Sequence, residues 1–244
     1  MKTLLKNIRT LVTCDDADRV LRNADVLLSG GRIAQIGQNI EADADETIDA
    51  GALIVYPGLI NTHHHLYQYF TRNLRSVQNL ELFDWLTALY GIWAHINEDT
   101  VRLSSLCGMA ELMKYGCTTC FDHHYVFPNG AGDLLGAQFE AAETLGIRMA
   151  ASRGSMSLSK KDGGLPPDSV VQTTDEILRD SRAAIERYHD ASDFSMRQVL
   201  LAPCSPFSVT AEIMRQSAAL ARSCGVRLHT HLCETKDEER FTLE

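Results

Sequence analysis

Seven of the nine histidines of this sequence lie in three short groups. The groups are His63-His64-His65, His123-His124, and His229 with His231. Neutral imidazole nitrogen is a common ligand of zinc and related divalent ions, and a catalytic ion keeps one coordination position open for water. Histidine also exchanges protons near neutral pH. The groups therefore predict a metal or acid/base site, provided that the fold brings them together.

Strand periodicity separates the histidines within each group. Successive side chains of a β-strand point to opposite faces, so residues two apart share a face. His63 and His65 are therefore predicted to point together, with His64 on the other face. His229 and His231 form a second pair of this kind. One H-x-H pair is weak evidence for a metal site, and the presence of a second pair strengthens it.

An acidic residue follows the last histidine group. Glu234 lies three residues after His231, in a predicted loop. A carboxylate close to a metal-activated water is a candidate general acid and base, because it can accept a proton and return it. A solvent-facing acid in the charged run "CETKDEE" is the alternative, and the neighbouring histidines favour the catalytic role.

Alternating strands and helices are predicted to carry these groups. Core strands are predicted to begin near Ile54, Cys117, Ile147, Gln198 and Val226. Capping signals for the intervening helices are Asn97, Gly116, Gly146, Thr173 with Glu176, Thr210 and Gly225. The alternation predicts an α/β fold with a parallel sheet, either doubly wound or a (β/α) barrel. Because the histidine groups end the first, second and fifth strands, they should meet at one edge of the sheet.

The first 55 residues have a different pattern. Short strand-like segments alternate with turns, and Gly30-Gly31 is a hairpin signal between two of them. The sequence therefore predicts a small β domain over residues 1–55 and a larger α/β domain over residues 56–244.

Charge and hydropathy exclude several kinds of partner. The formal net charge of -9 and the absence of a long basic run argue against nucleic acid as a partner. No stretch approaches the roughly 18 apolar residues of a membrane span, and the N-terminus lacks the continuous apolar core of a signal peptide. A cytoplasmic location is the expectation. The sequence leaves the oligomeric state open, and a homo-oligomer is compatible with it.

Taken in order, these motifs resemble the amidohydrolase superfamily of metal-dependent hydrolases. The resemblance rests on "ETIDAGALIVYPGLINTHHHLYQ", "DHHYVFP", "SRGSMSLSKKDGGLPP", "LAPCSPFSVT" and "LHTHLCETKDEE". It is strongest to the 8-oxoguanine deaminases, in the branch that also contains guanine deaminases and triazine hydrolases. The resemblance implies a (β/α)8 TIM-type barrel, with residues 1–55 contributing to a composite β-sandwich.

The resemblance also assigns site residues. His63, His65 and His231 match the ligands of one divalent ion, most often zinc, with iron as the alternative. Glu234 matches the acid/base residue, and Gln68 matches a glutamine that hydrogen-bonds the substrate.

Further pocket residues are assigned less directly. Arg153 is a substrate-binding candidate, and a structural salt bridge is the equal alternative for it. His123 is expected to line the pocket, and His64 to pack beside it.

The family draws further site residues from later strands, namely a histidine from the sixth strand and an aspartate ligand from the eighth. The expectation is therefore a barrel truncated after about five βα units, which is the N-terminal half of the family's fold. The chain is then a fragment of a longer protein or one half of a two-chain enzyme that lacks the C-terminal half of the barrel. It is expected to be inactive alone.

The implied reaction is hydrolytic deamination of an aminopurine, with 8-oxoguanine giving urate and ammonia. A triazine-type amino- or chlorohydrolase is the alternative within the superfamily. A catalytically incomplete fragment or assembly module is the alternative of a different class. The expected partner is a small purine or related heterocycle.

Overall fold

The computed structural model describes residues 1–243. The chain divides into two compact units, Met1–Gly58 and Leu59–Glu244, and each is described by itself. No helix among residues 1–243 combines the length and apolar character needed to cross a membrane.

The first unit is built from two small sheets. Its strands are β1 (Lys2–Ile8), β2 (Thr10–Val12), β3 (Val20–Leu21), β4 (Ala24–Ser29), β5 (Arg32–Gly37), β6 (Glu46–Asp49) and β7 (Ile54–Val55). They form sheets in the orders β5-β4-β1-β6 and β3-β2-β7. The predicted hairpin joins β4 to β5, and both glycines of its turn have positive φ, which this tight turn requires.

The second unit has an α/β fold with a parallel sheet, as the sequence predicts. Its strands are β8 (Leu59–Asn61), β9 (Cys117–Asp122), β10 (Arg148–Ser155) and β11 (Arg197–Pro203), in the order β11-β10-β9-β8. Its helices are α1 (Leu82–Trp93), α2 (Glu98–Lys114), α3 (Leu134–Leu145), α4 (Thr174–Tyr188), α5 (Ala211–Cys224) and α6 (Lys236–Leu243). Short 3-10 turns cover Leu66–Thr71, Arg75–Val77, Lys160–Asp162 and Asp168–Val170. Helices separate β8 from β9, β9 from β10, and β10 from β11.

The predicted helix boundaries are largely confirmed. Asn97 accepts a hydrogen bond from the Thr100 amide at the start of α2, and Thr210 caps α5 in the same way. Thr173 and Glu176 form the predicted capping box of α4. The left-handed residues that end α3 and α5 are the predicted glycines, and Tyr115 rather than Gly116 is the C-cap of α2.

The strand predicted to begin near Ile54 is two separate strands. Residues Ile54–Val55 pair with β2 in the first unit, whereas Leu59–Asn61 pair with β9 in the second. Pro57 lies between them and has no amide hydrogen to donate to a ladder, so one continuous strand is interrupted there. The parallel sheet therefore begins at Leu59.

The prediction of a fifth strand is also corrected by the structure. The segment from Val226 makes a single β-bridge, between Leu201 and Leu228, and is not a full strand. Around this bridge the Leu201 amide donates to the Arg227 carbonyl, and the His229 amide donates to the Leu201 carbonyl. The next step of a parallel ladder needs an amide hydrogen from residue 203, which is proline. The regular ladder ends there for want of a donor, and the His231 amide donates instead to the carbonyl of Cys204.

Gly154 gives a testable consequence of close packing between strand ends. A Cβ at this position would overlap the carbonyl oxygen of His124 and the backbone of Tyr125. We expect Gly154→Ala to lower the free energy of unfolding by about 1–3 kcal/mol, because backbone on both sides must move. Urea denaturation measures the change. Gly91→Ala, in α1 with nothing near its Cβ, is the matched control and should instead stabilise by about 0.5–1 kcal/mol.

Candidate metal centre

Three imidazole nitrogens converge just beyond the carboxyl edge of the parallel sheet. The Nε2 atom of His65 lies 3.1 Å from Nε2 of His63 and 3.1 Å from Nε2 of His231. We call these three residues the histidine cluster. His63 and His65 lie directly after β8, whereas His231 lies in the segment between α5 and α6, 166 positions beyond His65.

Backbone carbonyls fix the proton positions of two members of the cluster. His65 Nδ1 lies 2.7 Å from the carbonyl oxygen of His123, and His231 Nδ1 lies 2.8 Å from that of Cys204. A carbonyl oxygen can only accept, so each Nδ1 carries the hydrogen and donates it. In the neutral ring the hydrogen on Nδ1 leaves Nε2 with a free lone pair. His65 and His231 therefore present two acceptors to each other.

This arrangement fits a bound cation. Two lone pairs 3.1 Å apart cannot share a hydrogen bond while both hydrogens are on Nδ1. A zinc ion at 2.0–2.1 Å from each nitrogen would separate tetrahedral ligands by about 3.4 Å, close to the spacing found. The donor set is also chemically suitable, since imidazole nitrogen binds zinc and iron.

His229 completes the orientation of the third member. Its Nε2 lies 3.1 Å from Nδ1 of His63, so the ring of His63 can donate from Nδ1 while its Nε2 faces the cluster. Histidine ligands are commonly held in this way by an acceptor on the other ring nitrogen. His63, His123 and His229 also form a second group in which one nitrogen of each lies within 4.8 Å of the others. The histidine cluster is the better metal candidate, because backbone carbonyls at Nδ1 orient two of its three rings.

The remaining histidines of the three groups lie around the cluster. The ring of His123 is fully buried and stacks on His231, with a centroid distance of 4.2 Å, and neither of its nitrogens has a partner within residues 1–243. His124 is also buried, and its Nε2 donates a hydrogen bond to the carbonyl oxygen of Val126. The carbonyl oxygen of His64 accepts a hydrogen bond from the His123 amide. This bond joins the turn after β8 to the end of β9.

Partial burial favours the neutral form of the three rings. Desolvation lowers the pKa of His65 well below its ordinary value, and that of His63 and His231 to a lesser degree, with mutual repulsion of the imidazolium forms as a further cause. Metal binding needs the unprotonated ring. The cluster therefore keeps unprotonated nitrogens that can bind an ion at a lower pH than exposed histidines would.

Two of the predicted pocket residues share a cavity with two members of the cluster. A cavity of about 920 Å³ is lined by His63, His65, Gln68 and Glu234, among others. The Gln68 side-chain nitrogen donates to the hydroxyls of Tyr67 and Tyr125, at 3.3 and 3.4 Å. Its carbonyl oxygen is thereby left to accept from another molecule. Burial, and then the charge of Glu238, raise the pKa of Glu234, which suits a group that both accepts and returns protons.

A buried carboxylate anchors the turn that carries the first histidines. Asp122, fully buried at the end of β9, accepts from the Leu66 amide at 2.5 Å and from the side chain of Gln138. Burial raises its pKa to about 7. The Leu66 amide directly follows His65, so this contact fixes the start of the 3-10 turn that also holds Gln68.

The structure does not bring Arg153 to the cluster. Its guanidinium, 4% exposed, donates to the Gln172 side chain, lies 3.6 Å from Asp180 and stacks over the ring of Phe127. These partners belong to a separate cavity of about 410 Å³ beside α3 and α4. Strand alternation accounts for the placement, because neighbouring residues of β10 face opposite sides of the sheet. The structural alternative is therefore the one that the geometry favours.

This placement predicts that substitution of Arg153 lowers the stability of the fold without changing the affinity for zinc. We expect Arg153→Met to lower the free energy of unfolding by about 1–3 kcal/mol through loss of these contacts, with zinc affinity unchanged. Arg182→Met, on the exposed surface of α4, is the control and should change stability by less than about 0.5 kcal/mol. Denaturation curves and zinc titrations measure the two effects. A large loss of zinc affinity in Arg153→Met would contradict the assignment.

Comparison with known proteins identifies the family. A family model described as the amidohydrolase family matches residues 54–243. The chain belongs to the amidohydrolase family. Among curated members, the 8-oxoguanine deaminase of Pseudomonas aeruginosa is 45% identical over 246 residues, which cover 100% of this chain and 54% of that protein. The hydroxydechloroatrazine ethylaminohydrolase of Pseudomonas sp. is 39% identical, over 95% of this chain and 51% of that protein.

Solved amidohydrolase structures agree with the fold. The atrazine chlorohydrolase of Arthrobacter aurescens complexed with zinc aligns with a TM-score of 0.91 and 32% identity. The alignment covers 96% of this chain and 54% of that one. This amidohydrolase chain thus spans about half the length of the curated relatives it matches.

Sequence reasoning missed the residues that orient the amidohydrolase cluster. The carbonyls of His123 and Cys204 are backbone groups, which no side-chain pattern reveals. His229 was visible as the same-face neighbour of His231, yet only the structure shows that it faces Nδ1 of His63. Tyr125 lies in the segment "DHHYVFP" and was not assigned a role.

Proposed function

We propose that the protein is a metal-dependent deaminase of an aminopurine, and that it converts 8-oxoguanine to urate and ammonia. The observation that carries the proposal is the convergence of three Nε2 atoms whose rings are oriented by acceptors at Nδ1, with two of these histidines, His63 and His65, lining the same cavity as Glu234. The 45% identity to an 8-oxoguanine deaminase supports the choice of substrate. The cytoplasm is the proposed location.

His63, His65 and His231 would hold the ion, with zinc first and iron as the alternative. When bound, such an ion makes water a nucleophile near neutral pH. Glu234 accepts one proton from the attacking water and delivers it to the ring nitrogen, and it then transfers the second proton of that water to the amino group, which departs as ammonia. Gln68 accepts from a ring N–H of the substrate through its free carbonyl oxygen, which sets the orientation of the heterocycle.

The sheet is proposed to be the first part of a (β/α)8 barrel, and residues 1–55 part of a composite β-sandwich. The resemblance assigns an aspartate ligand and a further histidine to later strands, so we propose that turnover needs a polypeptide that supplies them. Purified chain alone is then expected to bind metal and to turn over poorly. Robust ammonia release by the monomeric 244-residue chain would refute this part of the proposal.

Substrate assays test the function directly. Zinc-loaded protein, as the chain alone and combined with a polypeptide carrying the later strands, is given 8-oxoguanine, guanine and an amino- or chlorotriazine. Ammonia and urate from 8-oxoguanine are the expected products. Release of chloride or alkylamine from the triazine, without ammonia from either purine, would instead favour a triazine-type hydrolase.

The orienting role of His229 gives a further prediction. His229→Ala removes the acceptor at Nδ1 of His63, so we expect zinc affinity to fall by about 10–100-fold. Competition with a chromophoric chelator measures the affinity. His189→Ala, a histidine at the end of α4 and outside the three groups, is the control. Unchanged affinity in His229→Ala would show that His63 is held in place by other contacts.

A further inference from the structure

Glu238 is a buried carboxylate whose partners are backbone amides. It lies in the first turn of α6 and is 1% exposed. One of its oxygens accepts from the Cys233 amide at 3.0 Å, and the other accepts from the Glu234 amide at 2.6 Å. Hydrogen bonds from backbone amides to a carboxylate are stronger than those between neutral groups.

The turn that Glu238 holds has an unfavourable backbone conformation. Cys233 has a φ of 59°, in the left-handed region that side chains other than glycine rarely adopt. In such a turn successive amide hydrogens point to the same side and form a concave site for an anion. Here the anion is a side chain of the same chain. The carboxylate of Glu238 thus stabilises a conformation that residues 233 and 234 would not adopt by themselves.

Glu238 is in turn fixed to the start of its helix. Its amide hydrogen points to the Thr235 hydroxyl at 3.3 Å, and its carbonyl accepts from the Thr242 hydroxyl. The segment between His231 and α6 is therefore tied at both ends, to Cys204 through His231 and to Glu238 through the two amides. Glu234 is the residue that this closed loop presents to the cavity of the cluster.

We propose that Glu238 is the positioning residue of Glu234, because it fixes the backbone turn that sets where the Glu234 carboxylate stands relative to the histidine cluster. The inference rests on the proposed acid/base role of Glu234. Glu238 does not touch the cluster or the substrate in this assignment. Its negative charge has a second effect, since it adds to burial in raising the pKa of Glu234.

Hydrogen exchange in the unmodified chain is the first test. The amide hydrogens of Cys233 and Glu234 should exchange about tenfold to a hundredfold more slowly than amides of an unstructured loop, the range expected for hydrogen bonds to a charged acceptor. Exchange at the rate of an open loop would overturn the proposal without any variant.

A matched pair of variants is the second test. Glu238→Gln keeps the shape but replaces one acceptor oxygen by an NH2 group that cannot accept. Both amides should lose most of their protection, and the Glu234 carboxyl, followed by carbon-13 NMR, should titrate at a lower pH. Glu239→Gln removes the same charge from an exposed site on the same helix and should change neither quantity. Equal changes in both variants, or none in Glu238→Gln, would overturn the proposal.

Cobalt binding separates this inference from the proposed function. The Co²⁺ absorption spectrum reports the histidine cluster and should be the same in both variants and in the unmodified chain. Slow amide exchange without any Co²⁺ binding would leave the turn in place and refute the metal site. Normal Co²⁺ binding with unprotected amides would refute the role of Glu238 alone. If Glu238→Gln does not fold, the exchange rates of the unmodified chain decide.

Discussion

Glu234→Gln should abolish most of the turnover while leaving the metal in place. Removal of a general acid and base lowers kcat/KM by about 10²–10⁴-fold, because the glutamine amide cannot take up and return a proton. The residue lies outside the histidine cluster, so zinc content should stay that of the unmodified protein. Steady-state ammonia release and metal analysis measure the two quantities, with the chain alone or combined with a polypeptide that supplies the later strands.

The pH profile sharpens this prediction. In the proposed acid/base role, Glu234 must be ionised to accept the first proton, so kcat/KM should fall as pH decreases through its pKa. Burial and the charge of Glu238 raise that pKa, and the acidic limb should therefore lie above the ordinary value for glutamate. In Glu234→Gln the residual activity should lack this limb. Glu239→Gln is the control, and a profile that Glu234→Gln leaves unchanged would assign the acid/base role elsewhere.

The second large effect concerns metal affinity. His65→Ala should lower zinc affinity by more than about 100-fold, beyond the loss expected for residues that only orient a ligand. His65 is central to the cluster, because its Nε2 is the atom that lies 3.1 Å from both of the others. Competition titrations with a chelator measure the affinity, and denaturation curves without metal check that the variant folds.

An exposed histidine provides the control for this experiment. His95 lies just after α1, outside the three groups, and His95→Ala should leave zinc affinity unchanged. Iron can replace zinc in both titrations, which tests the choice of ion. If His65→Ala bound zinc as tightly as the unmodified chain, the metal would have to lie on other residues, and the second group around His123 and His229 would be the next candidate.

Residues with local signals were predictable from the sequence. The capping box of Thr173 and Glu176 needs only contacts three residues apart, and the hairpin at Gly30-Gly31 needs only a positive φ. The alternation of strands and helices predicted the parallel sheet, because each of these elements is recognised from the pattern of its own residues. Helix α1, by contrast, was not anticipated, since the sequence before it carries no side chain that caps its first turn.

Features that depend on a distant partner were not predictable. Whether "VRLHTHL" pairs as a full strand is decided by Pro203, which lies in a different segment and withholds one hydrogen. The position of Arg153 is set by strand alternation and by its ion pair with Asp180 on α4. From the sequence alone, this structural salt bridge and a role in substrate binding were equal alternatives. The histidines themselves were found from spacing, whereas the carbonyls and Glu238 that orient the site come from segments that only folding brings close.

The gap that Pro203 leaves in the ladder also has a dynamic consequence. Beyond that gap, the amide and the Nδ1 of His231 both donate to the carbonyl of Cys204, and these two hydrogen bonds hold the segment with His231 to the end of β11. Local opening of the segment has to break both of them together. Opening removes one member of the cluster, so ion capture and closure of this segment form one coupled equilibrium. The measured affinity for the ion is then lower than that of the closed site, by the fraction of molecules that are closed.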